Sequence, residues 1–413
     1  MKADRASKAG NILLIANNFP PTRGGSAVVY ANLARHLDPR VIVMAPKSSY
    51  ADGLPLIGWR EHDRRVAYRV LRLPMLRTRI AAAATSGLVG RLLFLGYDVL
   101  IRMRVAAAVL RLVAFEQVRT ICVGELLASG WIIALCRHIP GVRTVAYVHG
   151  EEITTEDGYD RGHLRARAAL LESDGIIVVS RFTRHAVAQL LGDAISGDRI
   201  KLIENGVDAE RFHNTGRRPD LMALYDLQGC KVFVSVCRLL EKKGIDNAIR
   251  AFALLAQDQI PCRYLIVGTG PYEDTLREIA RAEGVAELVT FAGDVTEKDL
   301  VAHYSLGDVF VMPNRELPNG DTEGFGLVFL EANSCGLPVI AGRDGGSQDA
   351  VQHNVNGLVV DGTQVSAIAD AMRIFLTDDA LYARLREGAF TVSQAAGWQR
   401  KAATFVGICE ELF

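Results

Sequence analysis

A chain of 413 residues, 49% hydrophobic and 23% charged, is long enough for two ordinary domains and too apolar for a disordered one. Its 47 lysines and arginines balance 47 aspartates and glutamates, so no global field recruits nucleic acid. The seven cysteines form no CxxC pair and no zinc spacing, which points to reduced core thiols in a cytoplasmic protein.

The polar, basic start precedes a short apolar run that reads as a buried strand over 11–16, not as a signal peptide. No uncharged apolar stretch reaches the roughly 20 residues of a membrane span, so the expectation is a soluble or peripheral protein. The loop at 17–26 carries Gly24 and Gly25 ahead of a helix from about Ala27. It lacks G-x-G-x-x-G spacing, which argues against a nicotinamide enzyme. Paired glycines in a loop serve a plain turn as readily as a ligand.

From Trp59 to Arg119 the composition shifts. Arginines 60, 64, 65, 69, 72, 77, 79, 91, 102, 104, 111 and 119 face only Glu61, Asp63, Asp98 and Glu116, interleaved with aliphatic residues at roughly helical spacing. Such a segment suits an anionic membrane face or a phosphate-bearing lipid, and equally a set of helices with a solvated basic face.

A strand over 144–148 delivers His149 and Gly150 at its carboxyl end, where open parallel sheets bind ligands. There a histidine can bond substrate or move a proton, or simply fill a structural place. A strand over 175–180, a helix over Arg181–Leu191 and a strand over 200–203 lead to the turn Asn205-Gly206-Val207-Asp208.

The second half restarts with a strand over 232–237, followed by Arg238 and Lys243 on a strand-to-helix turn. A planar guanidinium and a mobile ammonium at this spacing can converge on one pyrophosphate, or form a solvated basic turn. Strands over 264–267 and 289–291 end at Gly268 and at Gly293-Asp294-Val295. A strand over 308–312 runs by a loop into 321–342, the stretch around which the chain is organised. Here Glu323, Gly324, Phe325 and Gly326 precede an apolar helix opened by Leu327 and Val328, with Glu331 further in. Unpaired amides at a helix start seat phosphate, and a carboxylate within reach accepts from sugar hydroxyls. Gly336 and Pro338 end the helix, and a strand covers 339–341. Helices over 365–376, 380–395 and 398–413 close the chain. Strands alternating with helices in both halves predict an α/β fold with two parallel sheets.

Glu323, Gly324, Phe325, Gly326 and Glu331 resemble the Glu-x7-Glu motif of retaining glycosyltransferases of the family 4 type. Gly24-Gly25, His149-Gly150, Asn205-Gly206-Val207-Asp208 and Arg238-Leu239 with Lys243-Gly244-Ile245-Asp246 are similar to further segments of that family. The resemblance spans nearly the whole chain and is weakest over 50–119. It implies the GT-B architecture: two Rossmann-like domains whose parallel sheets face across a cleft. Residues 1–208 would bind acceptor, 209–395 the nucleotide sugar, and helix 396–413 would cross back to the first domain.

The resemblance also implies roles. Gly24 and Gly25 line the acceptor side, and His149 lies over the donor sugar. Gly268, Val295 and Phe325 belong to the nucleotide site. Arg238, Lys243 and the amides of Gly326, Leu327 and Val328 stabilise the departing diphosphate. Glu331 holds the ribose and Glu323 the sugar. The implied reaction is retaining transfer of a hexose from a nucleotide-diphosphate sugar to a glycan or lipid-linked acceptor. No Asp-x-Asp pair occurs in the chain, so neither metal nor other cofactor is expected.

Residues 318–326 most resemble mannosyltransferases that use a guanosine donor and act on lipid-linked acceptors, in building cell-envelope glycolipid or polysaccharide. Uridine donors share most of the motif, so GDP- and UDP-linked sugars both stand. Among lipid-acceptor relatives the basic segment 59–119 favours contact with an anionic membrane from the cytoplasmic side. The alternative of another class is a catalytically silent sugar-nucleotide-binding scaffold of a membrane glycan assembly. An epimerase or a pyridoxal-bearing phosphorylase shares the architecture but fits 323–331 less well.

Overall fold

Aliphatic runs bounded by polar turns form two sheets, in which every ladder is parallel. The computed structural model describes residues 10–413 apart from 38, 79–87, 157–159 and 259. In the first sheet, β1 (Asn11–Ile15), β2 (Val41–Pro46), β3 (Arg69–Leu73), β4 (Val118–Val123), β5 (Arg143–Val148), β6 (Gly175–Val178) and β7 (Ile200–Leu202) lie in the order β3-β2-β1-β4-β5-β6-β7. In the second, β8 (Lys231–Val236), β9 (Cys262–Val267), β10 (Val289–Gly293), β11 (Val309–Met312), β12 (Val339–Gly342) and β13 (Gly357–Val360) lie in the order β10-β9-β8-β11-β12-β13. Helices cover both faces, which is why the central strands are buried along nearly their whole length.

Both orders reverse direction once, at β1/β4 and at β8/β11. A crevice opens at such a reversal beyond the carboxyl ends of the strands, because the flanking crossovers run to opposite sides. The two sheets therefore place the loops after β1, β4, β8 and β11 where a ligand can reach them.

The chain divides into two units. One runs to Glu204 and includes Trp398–Phe413; the other is Asn205–Gly397. The divisions fall after Glu204 and Gly397 rather than after 208 and 395. Val207 donates its N–H to the Ala396 carbonyl at 3.0 Å and bridges to Gly397, which ties the Asn205–Asp208 turn to the second unit. Within the first unit the final helix, Trp398–Glu411, packs on helix Gly25–His36, and its Phe405 ring lies 6.4 Å from that of Tyr147.

The basic segment resolves differently from its sequence pattern. Arg69 and Arg72 lie on β3, an edge strand, not on a helix. All four acids take an arginine: Arg65–Glu61, Arg72–Asp63, Arg102–Asp98 and Arg69–Glu116. Arg72 is buried and also donates to the Pro46 carbonyl at 2.9 Å, so it is a structural tie rather than surface charge. Arg79 lies outside the described residues. The exposed arginines that remain are Arg60 and Arg64 on helix Trp59–Arg65 and Arg91, Arg104 and Arg111 on helix Leu88–Phe115. Ile101, Val105, Val109 and Leu112 bury one stripe of that helix in the core. Leu92, Leu93, Leu95, Val99 and Met103 nevertheless stay exposed. No described helix is long and apolar enough to cross a membrane. All seven cysteines are free, five of them buried.

Candidate active site

In the second unit the site is built at the β8/β11 reversal. Leaving β8, the chain passes Arg238, whose side chain is exposed, and makes one tight turn at Glu241–Lys243 before helix Ile245–Ala256. The loop from β11 brings Glu323 beside it, and the Lys243 ammonium donates to the Glu323 carboxylate. Their side chains are 15% and 14% exposed, enclosed enough for the charges to feel each other yet still touching solvent. Burial alone would raise the Glu323 carboxyl, but Lys243, together with Lys242 and the Phe325 amide, outweighs it and holds the group below the usual glutamate range. Burial also opposes charge on Lys243, and Glu323 reverses that effect, keeping the amine protonated.

A second pair stands next to the first. The buried Lys242 donates to Asp321 at 2.6 Å and to the Thr322 carbonyl at 3.2 Å. It clamps the loop that presents Glu323, and Lys243 is the more exposed of the two ammonium groups.

Gly326 caps helix Leu327–Ser334 in the left-handed region, φ 85°, and a Cβ there would lie 2.4 Å from the Phe329 ring. Only glycine satisfies both demands. The cap leaves the amides of the first turn pointing out of the helix, with Phe325 buried beneath and Leu327 and Val328 half-exposed. Glu331, one turn on, is half-buried. Its Oε2 accepts from the buried Tyr304 hydroxyl at 2.8 Å, and burial pushes its carboxyl above the ordinary range. Its Oε1 has no protein partner among the described residues. Gly268 follows β9, its N–H bonded at 2.8 Å to the carbonyl of Gly293, which ends β10 two residues before Val295.

In the first unit, His149 follows β5, and its Nε2 lies 2.7 Å from the Tyr30 hydroxyl. Burial pulls its pKa down to about 4, so the imidazole is neutral near pH 7. Two glutamates act electrostatically on the Tyr30 phenol beside it. Glu125, after β4, accepts from the amides of Asn17 at 2.8 Å and Asn18 at 3.2 Å; Glu152 accepts from those of His149 at 2.9 Å and Gly150 at 3.1 Å. Burial raises both carboxyls to about 7. The Glu125 bonds tie together the loops at the β1/β4 reversal, and the Glu152 bonds set the turn after β5. Gly24 caps helix Gly25–His36 with open space where a side chain would sit.

The structure thus joins Lys243 with Glu323 and Gly326 at one reversal, and sets Glu331 one turn along the same helix. His149, Gly24 and Gly25 belong to the first unit. The sequence reading passed over Tyr304, Asp321, Tyr30, Glu125 and Glu152. The Lys242-Lys243 doublet opposite Asp321-x-Glu323 was a visible signal for one of these. Tyr30 and Tyr304 carried none.

Parallel sheets in this order, each with a strand-end site, are the fold of the GT-B glycosyltransferases. Residues 23–211 match the family model for Glycosyltransferase Family 4, and residues 226–392 that for Glycosyl transferases group 1. The GDP-mannose-dependent alpha-(1-6)-phosphatidylinositol monomannoside mannosyltransferase of Mycobacterium tuberculosis (strain ATCC 25618 / H37Rv) is 34% identical over 377 residues, 89% of each chain. A Corynebacterium glutamicum relative, a GDP-mannose-dependent monoacylated alpha-(1-6)-phosphatidylinositol monomannoside mannosyltransferase, is 27% identical over 91% of each. Sucrose-phosphate synthase of Thermosynechococcus elongatus shares the fold with a TM-score of 0.75 at 22% identity, covering 98% of this chain and 99% of that one. Anabaena HepE in complex with UDP gives 0.73 at 19%, covering 96% and 98%. The chain belongs to glycosyltransferase family 4, and it is a glycosyltransferase.

Proposed function

We propose that this enzyme is a retaining, metal-independent mannosyltransferase that moves mannose from GDP-mannose to a hydroxyl of a mannosylated, phosphatidylinositol-type lipid. The names of its relatives support the donor and the acceptor class. The observation that carries the reading is the Lys243–Glu323 pair beside the Gly326 helix start, at the reversal of the second sheet.

In this reading the diphosphate lies against Arg238, Lys243 and the amides of Gly326, Leu327 and Val328. These groups are in place before the bond breaks, and they stabilise the negative charge that the leaving phosphate gains. Glu331 accepts from the ribose hydroxyls with Oε1, and Glu323 from the mannose. Gly268, Val295 and Phe325 border the nucleoside. The acceptor oxygen bonds to the anomeric carbon on the face from which the phosphate departs, and its proton passes to that phosphate. The absence of an Asp-x-Asp pair, with cations and amides already available, supports turnover without metal.

The acceptor is a lipid, so the enzyme works at a surface. Helix Leu88–Phe115 supplies exposed leucines together with Arg91, Arg104 and Arg111, the chemistry of a peripheral contact with the anionic cytoplasmic face of the membrane.

The test is a panel of GDP, UDP, ADP and their sugars, read by thermal shift and slow hydrolysis. Stabilisation by GDP and GDP-mannose, lost in Glu331→Ala and Arg238→Ala, supports the reading. Stabilisation by UDP sugars alone overturns the donor. Binding without hydrolysis or transfer favours a silent scaffold.

A further inference from the structure

Behind His149 lies a buried tyrosine that the transfer chemistry does not use. Tyr30, on helix Gly25–His36, is fully buried, and its hydroxyl oxygen is 2.7 Å from His149 Nε2. The position is enforced from three sides. The Tyr30 ring meets His149 edge-on at 5.2 Å and Tyr147 edge-on at 5.8 Å. Gly124, just after β4, leaves the slot for the hydroxyl: a Cβ there would lie 2.2 Å from the Tyr30 oxygen. The same Cβ would lie 2.4 Å from the ring carbon that bears the hydroxyl, so glycine there makes room for the whole end of the ring and holds the hydroxyl against His149.

The direction of the bond follows from counting protons. A neutral phenol carries one proton, and His149 Nε2 is the one acceptor that the Tyr30 hydroxyl reaches among the described residues. If Nε2 carried the proton instead, the phenol proton would be buried with no acceptor, at the cost of an unsatisfied donor. The groups around the phenol keep it protonated: burial first, then the Glu125, Cys122, Glu152 and Tyr147 side chains, all raise its pKa.

We infer that Tyr30 is a positioning residue which donates to His149 Nε2, fixing the imidazole as the Nδ1–H tautomer with Nδ1 as its substrate-facing nitrogen. Nδ1 has no protein partner among the described residues, and His149 is half-buried rather than sealed from solvent. A nitrogen that bears the proton is a donor. His149 therefore gives a hydrogen bond to a sugar hydroxyl and does not take the acceptor's proton, which goes to the departing phosphate. The use of the Nδ1–H rests on the transferase reading above; the tautomer does not.

The tautomer is read directly from long-range proton–nitrogen correlation spectra of donor-free, deuterated protein with 15N-labelled histidine rings. His149→Gln assigns the resonance. At pH 7 wild type should show a proton-bearing Nδ1 and a bare Nε2. Tyr30→Phe, which removes only the hydroxyl, should shift the pattern toward a proton-bearing Nε2 and lower kcat about tenfold, the worth of one hydrogen bond, with donor KM little changed. A proton-bearing Nε2 in wild type overturns the proposal, and so does an unchanged pattern in Tyr30→Phe. Should that variant fail to fold, the wild-type spectrum alone decides the tautomer. Because no turnover is needed for the spectra, an error in the assigned donor leaves them informative.

Discussion

Lys243 and Glu323, 80 residues apart in the chain, are bonded to each other at the point where the second sheet reverses its strand order. Each partner holds the other ionised, and in the proposed function the cation serves the phosphate and the carboxylate the sugar. Breaking the pair has an asymmetric cost. Lys243→Ala leaves an enclosed carboxylate with its charge uncompensated, and should lower stability by about 3 kcal/mol. Replacing both partners, as in Lys243→Met with Glu323→Leu, should restore most of that loss. Urea midpoints of the single and double variants check this, and an equally unstable double variant contradicts it. Activity does not follow stability: both variants should lose about 10²–10³ in kcat, because the charge facing the leaving group is gone.

Tyr304 acts one step behind the ligand. Its hydroxyl occupies Oε2 of Glu331 and leaves Oε1, the oxygen that the proposed function gives to the ribose. Tyr304→Phe should raise donor KM up to about tenfold with kcat nearly unchanged, the signature of lost uniform binding. Steady-state kinetics distinguish this from a fall in kcat, which would place Glu331 in the chemical step.

Acidification tests the environment of His149. Its pKa falls to about 4 in the fold from an ordinary value near 6.5, so between those values the unfolded chain binds more protons. The contribution of neutral His149 is complete above about 6.5 and is lost as pH falls toward 4. Glu125 and Glu152, raised to about 7, act with the opposite sign: their contribution is present below about 4.5 and is lost as pH rises through 7. The two effects overlap in wild type, so melts of single variants separate them. The stability of wild type relative to His149→Gln should decline from pH 6.5 to 4. Relative to Glu125→Gln it should decline from pH 5 to 7.5. A flat difference in either case refutes the corresponding assignment.

Vesicle flotation tests helix Leu88–Phe115. Binding should require anionic lipid and weaken with salt. Changing Arg91, Arg104 and Arg111 together to serine should cost about 1 kcal/mol each. Leu92→Ser with Leu93→Ser should weaken binding even at low salt, since that term is apolar burial. Equal partition onto neutral vesicles would contradict the electrostatic part.

The fold was legible because buried parallel strands announce themselves as short aliphatic runs, and helix Arg181–Leu191 was bounded by sequence alone. β3 was not, since its Arg-Val-Leu-Arg-Leu lies at a sheet edge among arginine-rich helices, where helical and alternating spacing are hard to separate over five residues. The arginines were overcounted as surface charge for a related reason. Counting cannot show that Arg72 turns inward to Asp63. Glu323, Gly326 and Glu331 were readable because one loop and one helix carry them in a fixed spacing. Tyr304 and Tyr30 were not, being brought to Glu331 and His149 from 27 and 119 residues away by packing alone.

The most direct test of the central claim is transfer itself. The enzyme, with chelator present, is given GDP-mannose and a phosphatidylinositol mannoside in anionic vesicles, and the product linkage is read by NMR. The account predicts release of GDP and an α-linked mannose, matching the configuration of the donor. A β-linked product, dependence on divalent metal, or preference for a UDP sugar would contradict it.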